Sequence, residues 1–241
     1  MNHLILALKA YKSDVEIHKH SAYQIVFTED HPFHTNCEGK QHENIFGFVI
    51  KPQVAHACQC SNSTLTIINV EPYSVFGKFL SGKFSEKNKA FFFYSQNEIN
   101  LFFEMSKSNF TIHDLMNRKQ DHKPPSIIDE RINKIISFIN ENYTSNTFTI
   151  DDLSNLVFLS PSRLSTLFKQ QTGSSISKYL LWIRLRNAIY SILTKNEHTL
   201  TDIAYENGFY DSSQMNKYMY EMFGISPSRL KKKSDLIQFL N

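Results

Sequence analysis

His18 and His20 are separated by one residue, as are His56 and Cys58, and Cys58 and Cys60. In an extended strand, residues two apart project from the same face. Two such strands with those faces turned inward would gather up to five imidazole and thiol groups. That donor set suits zinc or copper. The same groups could line a pocket for an organic molecule, or serve as core side chains with satisfied hydrogen bonds. His31, His34 and His42 fall in polar, turn-like stretches and read as solvated.

A second set of chemically able residues lies far downstream. LSPSRLSTLFKQQTG (159–173) carries Ser162, Arg163, Ser165, Thr166 and Lys169 around a thin apolar stripe of Leu164, Leu167 and Phe168. Later, Ser212, Ser213, Gln214, Asn216 and Lys217 surround Met215, Tyr218, Met219 and Met222. Arginine pairs bidentately with guanine, and glutamine or asparagine with adenine. Serine, threonine and lysine hold phosphates or read bases more weakly. A helix that must only dock by one edge, while its other face meets a duplex, needs this division. Any surface helix is polar outside, so one such face alone proves little. Two of them in one chain carry the reading.

The elements that must position these residues differ between the halves. Up to residue 71 the chain reads as short strands: VEIHKH, YQIVF, FGFVIK and LTIINV, rich in β-branched and aromatic residues and separated by turn formers. This predicts a small antiparallel barrel or sandwich. FFFY (91–94) fits strand or helix equally. Ile99, Phe102 and Phe103, then Ile112, Leu115 and Met116, repeat at helical spacing. The polar, proline-bearing DHKPPS (121–126) reads as a linker.

After residue 127 the pattern is helical, beginning with Ile128, Ile132, Ile135, Ile136 and Ile139 on one face. Thr149 to Asp152 and Thr199 to Asp202 form capping boxes with aspartate in the third position. Each starts a short helix, followed by a turn and a second helix closed by Gly173 or Gly224. Between the two units, residues 176–194 read as one unbroken helix, a rod of roughly 30 Å at 1.5 Å per residue. Successive major grooves recur about every 34 Å along B-DNA. Such a rod could seat recognition helices near 161–172 and 212–223 in adjacent grooves.

Bulk properties set the remaining bounds. The chain has 241 residues, 41% hydrophobic and 20% charged, a globular composition that excludes a disordered chain. A net charge of +3 is too small to name a partner, so a nucleic-acid reading must rest on local faces. Three cysteines are too few for a disulfide scaffold and fit a reducing cytoplasm. MNHLILALKAY makes a poor signal peptide, and no apolar run nears the ~20 residues of a membrane span. No GxGxxG, Walker loop or GxSxG elbow is present. The expectation is a cytoplasmic protein that is not an enzyme and has no membrane partner.

Residues 127–233 resemble the AraC/XylS family of bacterial transcription regulators. The resemblance rests on LSPSRLSTLFKQQTG, on IRLRNAIYSIL, and on TDIAYENGFYDSSQMNKYMYEMFGISPSRLKK with Gly208, Phe209, Gly224 and Pro227. It implies a seven-helix, double helix-turn-helix domain. It implies that Ser162, Ser165 and Thr166 face bases in one groove, and Ser212, Ser213, Gln214 and Lys217 in the next. Arg184 matches the family's rod arginine, a brace or a phosphate contact. The chain departs from the family at Tyr220 and Glu221, where a basic pair is usual, and at Met215 and Met219, where phenylalanine is usual. Lys231, Lys232 and Lys233 suit either phosphate contact or a solvated helix end.

His18, His20, Gln24 and IKPQVAH, ending at His56, resemble the degenerate cupin barrel that senses ligands in many family members. Gln24 stands near the position of the acidic ligand found in metal-binding cupins. The combined reading is α+β in two domains. An N-terminal antiparallel, cupin-like β-barrel with flanking helices (1–120) senses an effector, and a linker (121–126) joins it to an all-α DNA-binding domain (127–241). The effector is taken as a small organic molecule held by His18, His20, Gln24, His56 and Cys58, with no metal or cofactor. Double-stranded DNA is the partner, with RNA polymerase if the chain activates and a homodimer formed through 96–118. The alternatives are a metal-responsive regulator and a metallo-cupin enzyme fused to a DNA-binding domain.

Overall fold

The computed structural model describes residues 5–104, 128–195, 197–234 and 237–240. The chain divides into two compact units, Met1–Pro125 with Asp235–Asn241, and Ser126–Ser234.

Among the described residues the first unit holds ten strands: β1 (Ile5–Tyr11), β2 (Asp14–His18), β3 (Tyr23–Thr28), β4 (Phe33–Cys37), β5 (Lys40–Ile45), β6 (Gly47–Ile50), β7 (His56–Gln59), β8 (Thr64–Val70), β9 (Ala90–Phe93) and β10 (Ile237–Leu240). They form two antiparallel sheets, ordered β10-β1-β8-β3-β6-β9 and β2-β7-β4-β5. The expected barrel is therefore corrected. Among the described residues no hydrogen-bonded ladder joins the sheets. The physical reason lies in the smaller sheet. Its edge strands β2 and β5 are mostly exposed and polar, and the register shifts between Val15 and His18 and between Phe33 and Thr35. Polar, irregular edges discourage further pairing.

Helices α1 (Val75–Lys83) and α2 (Gln96–Phe102) complete this unit. Strand β3 is buried on both faces. Tyr23, Ile25 and Phe27 pack with Leu80 of α1 and Ile99 of α2, whereas Val26 packs with Phe33, Phe48 and Cys58 of the inter-sheet core. FFFY resolves by the same alternation. Phe93 and Phe91 join the helix-side cluster and Phe92 the inter-sheet one, the period of a strand.

The boundary expected at the C-terminus is also corrected. β10 pairs antiparallel with β1, Ala7 opposite Leu240 and Ala10 opposite Ile237, so 235–241 belong to the first unit. The proposed linker 121–126, Ile112, Leu115, Met116 and most of the 96–118 surface lie outside the described residues. Within that surface Ile99 and Phe103 are buried in their own unit's core.

The second unit contains α3 (Glu130–Asn142), α4 (Ile150–Leu156), α5 (Pro161–Thr172), α6 (Ile176–Thr194), α7 (Leu200–Glu206), α8 (Ser212–Phe223) and α9 (Pro227–Lys232). Both capping boxes form with reciprocal hydrogen bonds, Thr149 with Asp152 and Thr199 with Asp202. Ser160, Asp211 and Ser226 cap α5, α8 and α9. Gly173 and Gly224 end α5 and α8 at φ 77° and 63°. α6 touches α3, α5, α7, α8 and α9. It buries Tyr179, Trp182, Ile183, Leu185, Ala188, Ile189 and Ile192, so the rod is also the spine of the core. No described helix is long and apolar enough to cross a membrane.

Candidate functional site

Each helix-turn-helix pair docks by the narrow stripe its sequence carries. On α5, Leu164 and Phe168 are fully buried, while Ser162, Arg163, Ser165, Thr166 and Lys169 are exposed. On α8, Met215 and Met219 take the buried role. Ser213, Asn216 and Lys217 are exposed, and Ser212 and Gln214 are partly so. Among the described residues Arg163, Lys169 and Lys217 join no ion pair. Their charges face solvent uncompensated, as phosphate contacts require. Gln214 is partly committed, because its side-chain oxygen accepts the Tyr210 N–H at 3.0 Å.

Arg184 does not share this exposure. Its Nε–H donates to the Tyr143 carbonyl at 2.6 Å, and its Nη2 donates to the Ser145 carbonyl at 2.8 Å and Asn146 Oδ1 at 2.9 Å. Half-burial lowers its pKa by desolvation. Three acceptors hold the guanidinium on the loop after α3, which makes it a brace between that loop and α6. Two exposed aromatics escaped the sequence reading. Phe158, 94% exposed, holds φ 54° in the first turn, and Tyr210, 79% exposed, lies in the second. A bulky residue in the tight break before Ser160 was the available signal.

The histidines of the first unit meet as their spacing suggested. His18 ends β2, His20 lies in the turn to β3, and His56 opens β7 opposite His18 in register. Ring centroids lie 4.1 Å apart for His18 and His56, 5.2 Å for His20 and His56, and 5.7 Å for His18 and His20. Each Nδ1 contacts a backbone carbonyl two residues away: Glu16 at 2.8 Å, Ala22 at 3.0 Å and Val54 at 2.9 Å. A carbonyl only accepts, so each ring carries its proton on Nδ1 and a lone pair on Nε2. All three rings are buried, His56 to 1% exposure. Its Nε2 is enclosed with no hydrogen-bond partner among the described residues.

Burial keeps these rings neutral. Desolvation lowers His18 to about 4 and, with repulsion from His18, His20 to about 3. His56 falls well below its ordinary value for the same reasons. The three rings place one ligand nitrogen each within 4.8 Å of the others. Cys58 stays outside that group, and burial raises its thiol far above the thiolate range. Gln24 instead donates from Nε2 to Asn69 Oδ1 at 3.2 Å. Of the five residues expected to hold an effector, His18, His20 and His56 come together as one cluster.

Residues 153–233 match a family model described as a helix-turn-helix domain. The raffinose operon transcriptional regulatory protein RafR of Pediococcus pentosaceus is 36% identical over 103 residues, 43% of this chain and 36% of that protein. The lactose operon transcription activator of Staphylococcus xylosus is 31% identical over 105 residues, 44% and 37% of the two chains. The C-terminal unit carries a helix-turn-helix domain similar to those of these two regulators. The alignments span only 22% to 38% of the curated relatives' own lengths. ToxT from Vibrio cholerae has the same fold over both units, at TM-score 0.57 and 14% identity, covering 95% of this chain and 97% of that one. The matched residues run from within α4 to the end of α9. The N-terminal sheets rest on fold likeness alone.

Proposed function

We propose that the chain is a sequence-specific DNA-binding transcription regulator whose N-terminal unit senses a ligand. One observation carries this: two capped helix-turn-helix pairs, each with an exposed polar face, dock on a single 19-residue helix whose apolar side chains are buried. At 1.5 Å per residue that helix spans about 28 Å, close to the groove repeat. Ser162, Arg163, Ser165, Thr166 and Lys169 would meet one major groove, and Ser212, Ser213, Gln214, Asn216 and Lys217 the next. The seven helices from α3 to α9 act as one DNA-binding module. The named activator among the relatives supports an activating role, with RNA polymerase as the protein partner and the cytoplasm as the place of work. Fold likeness to ToxT supports the N-terminal unit, cupin-like in its strand-and-histidine pattern, as sensor, and dimerisation through 96–118 is part of this reading. No chemical step is required.

A gel-shift titration against DNA from the gene's own upstream region tests it. Log affinity is expected to fall with log salt by about 0.9 per phosphate contact. A flat salt response would remove the reading.

A further inference from the structure

We propose that His18, His20 and His56 form a three-histidine site for a divalent transition-metal ion of the zinc type, and that this ion is the ligand the N-terminal unit senses. The second half rests on the regulator reading; the site itself does not.

Three observations converge. The ligand nitrogens lie within 4.8 Å of one another, at the end of one strand, the next turn and the start of a paired strand. Each ring is oriented by an Nδ1–H donated to a backbone carbonyl, the outer support that fixes a histidine's tautomer and aims its Nε2 lone pair at a metal. His56 Nε2 is enclosed without a hydrogen-bond partner among the described residues. A buried acceptor left so is costly, and a metal ion would satisfy it.

The donor chemistry selects the ion. Neutral imidazoles favour zinc and its neighbours over calcium or magnesium, which require oxygen ligands. Three protein ligands leave a fourth position for water or an anion, the open arrangement. Zinc holds imidazole nitrogens at about 2.0–2.1 Å, which places them about 3.4 Å apart in a tetrahedron. The widest pair here would therefore close by up to about 1.4 Å. That contraction draws together the end of β2, the turn before β3 and the start of β7. An ion that binds the contracted arrangement better shifts the unit toward it, which is the requirement for an effector.

The test uses the full chain, stripped with chelator. Calorimetric titration with Zn²⁺, and with Co²⁺ followed by its visible absorption, is expected to give one ion per chain. His56→Gln and His20→Ala are expected to weaken uptake by more than about 100-fold, beyond the loss of a supporting contact alone. The exposed His34→Ala should change nothing. Zn²⁺ should raise the Tm of the unsubstituted chain. No stoichiometric uptake by that chain, or uptake indifferent to His56→Gln, overturns the site without reliance on any variant's folding. Gel shifts with chelator or Zn²⁺ test the role. A several-fold change in DNA affinity, absent in His56→Gln, supports it. A chain that binds both DNA and the ion with no change in affinity overturns the ion as effector. No DNA binding in either state overturns the regulator reading, and with it that role, while leaving the site intact.

Discussion

Arg184 and Gly208 are locked against each other. A Cβ built on Gly208 would lie 2.9 Å from Arg184 Nε and from the Thr144 backbone, and Gly208 holds φ +79°. Arg184 meanwhile spans from α6 to the carbonyls after α3. The turn of the second helix-turn-helix pair is thus seated on the brace that ties the first helix of the unit to its spine.

Gly208→Ala should therefore destabilise the second unit. Left-handed backbone alone costs about 1–2 kcal/mol for an L residue, and the contact with Thr144 backbone adds to it. A drop in Tm would be seen by calorimetry. An unchanged Tm would show that the turn relaxes freely.

Arg184→Ala distinguishes a brace from a phosphate contact. Two backbone carbonyls and Asn146 would lose a charged donor, at about 1.5–3 kcal/mol. Stability should fall while the salt slope of DNA binding stays as it was. A slope reduced by about one, with stability intact, would return Arg184 to the DNA face.

Arg163→Ala and Lys217→Ala should do the reverse. Both side chains are exposed and join no ion pair among the described residues, so urea denaturation should scarcely change. DNA affinity should fall by about 1–3 kcal/mol where a base is read, or uniformly across sequences where a phosphate is held. Retained affinity in both variants would place the interface elsewhere.

Phe158→Gly should stabilise the chain by up to about 1 kcal/mol. The side chain is almost wholly exposed and contributes little packing, while its φ of 54° strains any residue but glycine. A loss of stability would mean that Phe158 packs in a way its exposure does not suggest.

The histidine cluster makes the metal-free first unit acid-sensitive. Folded pKa values near 4 for His18 and 3 for His20 lie below the ordinary 6.5. Between those values the unfolded chain binds more protons, so stability falls as pH drops below about 6.5. Each histidine contributes up to about 1.4 kcal/mol per pH unit through that window. Denaturant melts in chelator at about pH 7 and pH 5 should differ accordingly, and less so for His18→Gln. Equal midpoints would show the rings already solvated.

Much of the helical unit was legible because its signals are local. A threonine with aspartate three residues on, a serine before proline, and a glycine after the last apolar residue each specify a helix end through hydrogen bonds within one turn. The β-rich half was less so. The i, i+2 spacing of His18 and His20 announced one face. Whether that face met His56 depended on the pairing of β2 with β7, some 40 residues apart. Gln24 and Cys58 shared the pattern and were drawn elsewhere, Gln24 to Asn69 and Cys58 into the apolar inter-sheet core.

By itself the sequence determined the two helix-turn-helix units, their caps, the rod between them and the polar faces they expose, because propensity, capping and period act over a few residues. Only the tertiary structure decided that Arg184 braces a loop, that the sheets remain two, that β10 returns to β1 and that three histidine rings converge. Those outcomes depend on which distant strands and carbonyls come within hydrogen-bond reach, and no local spacing encodes that.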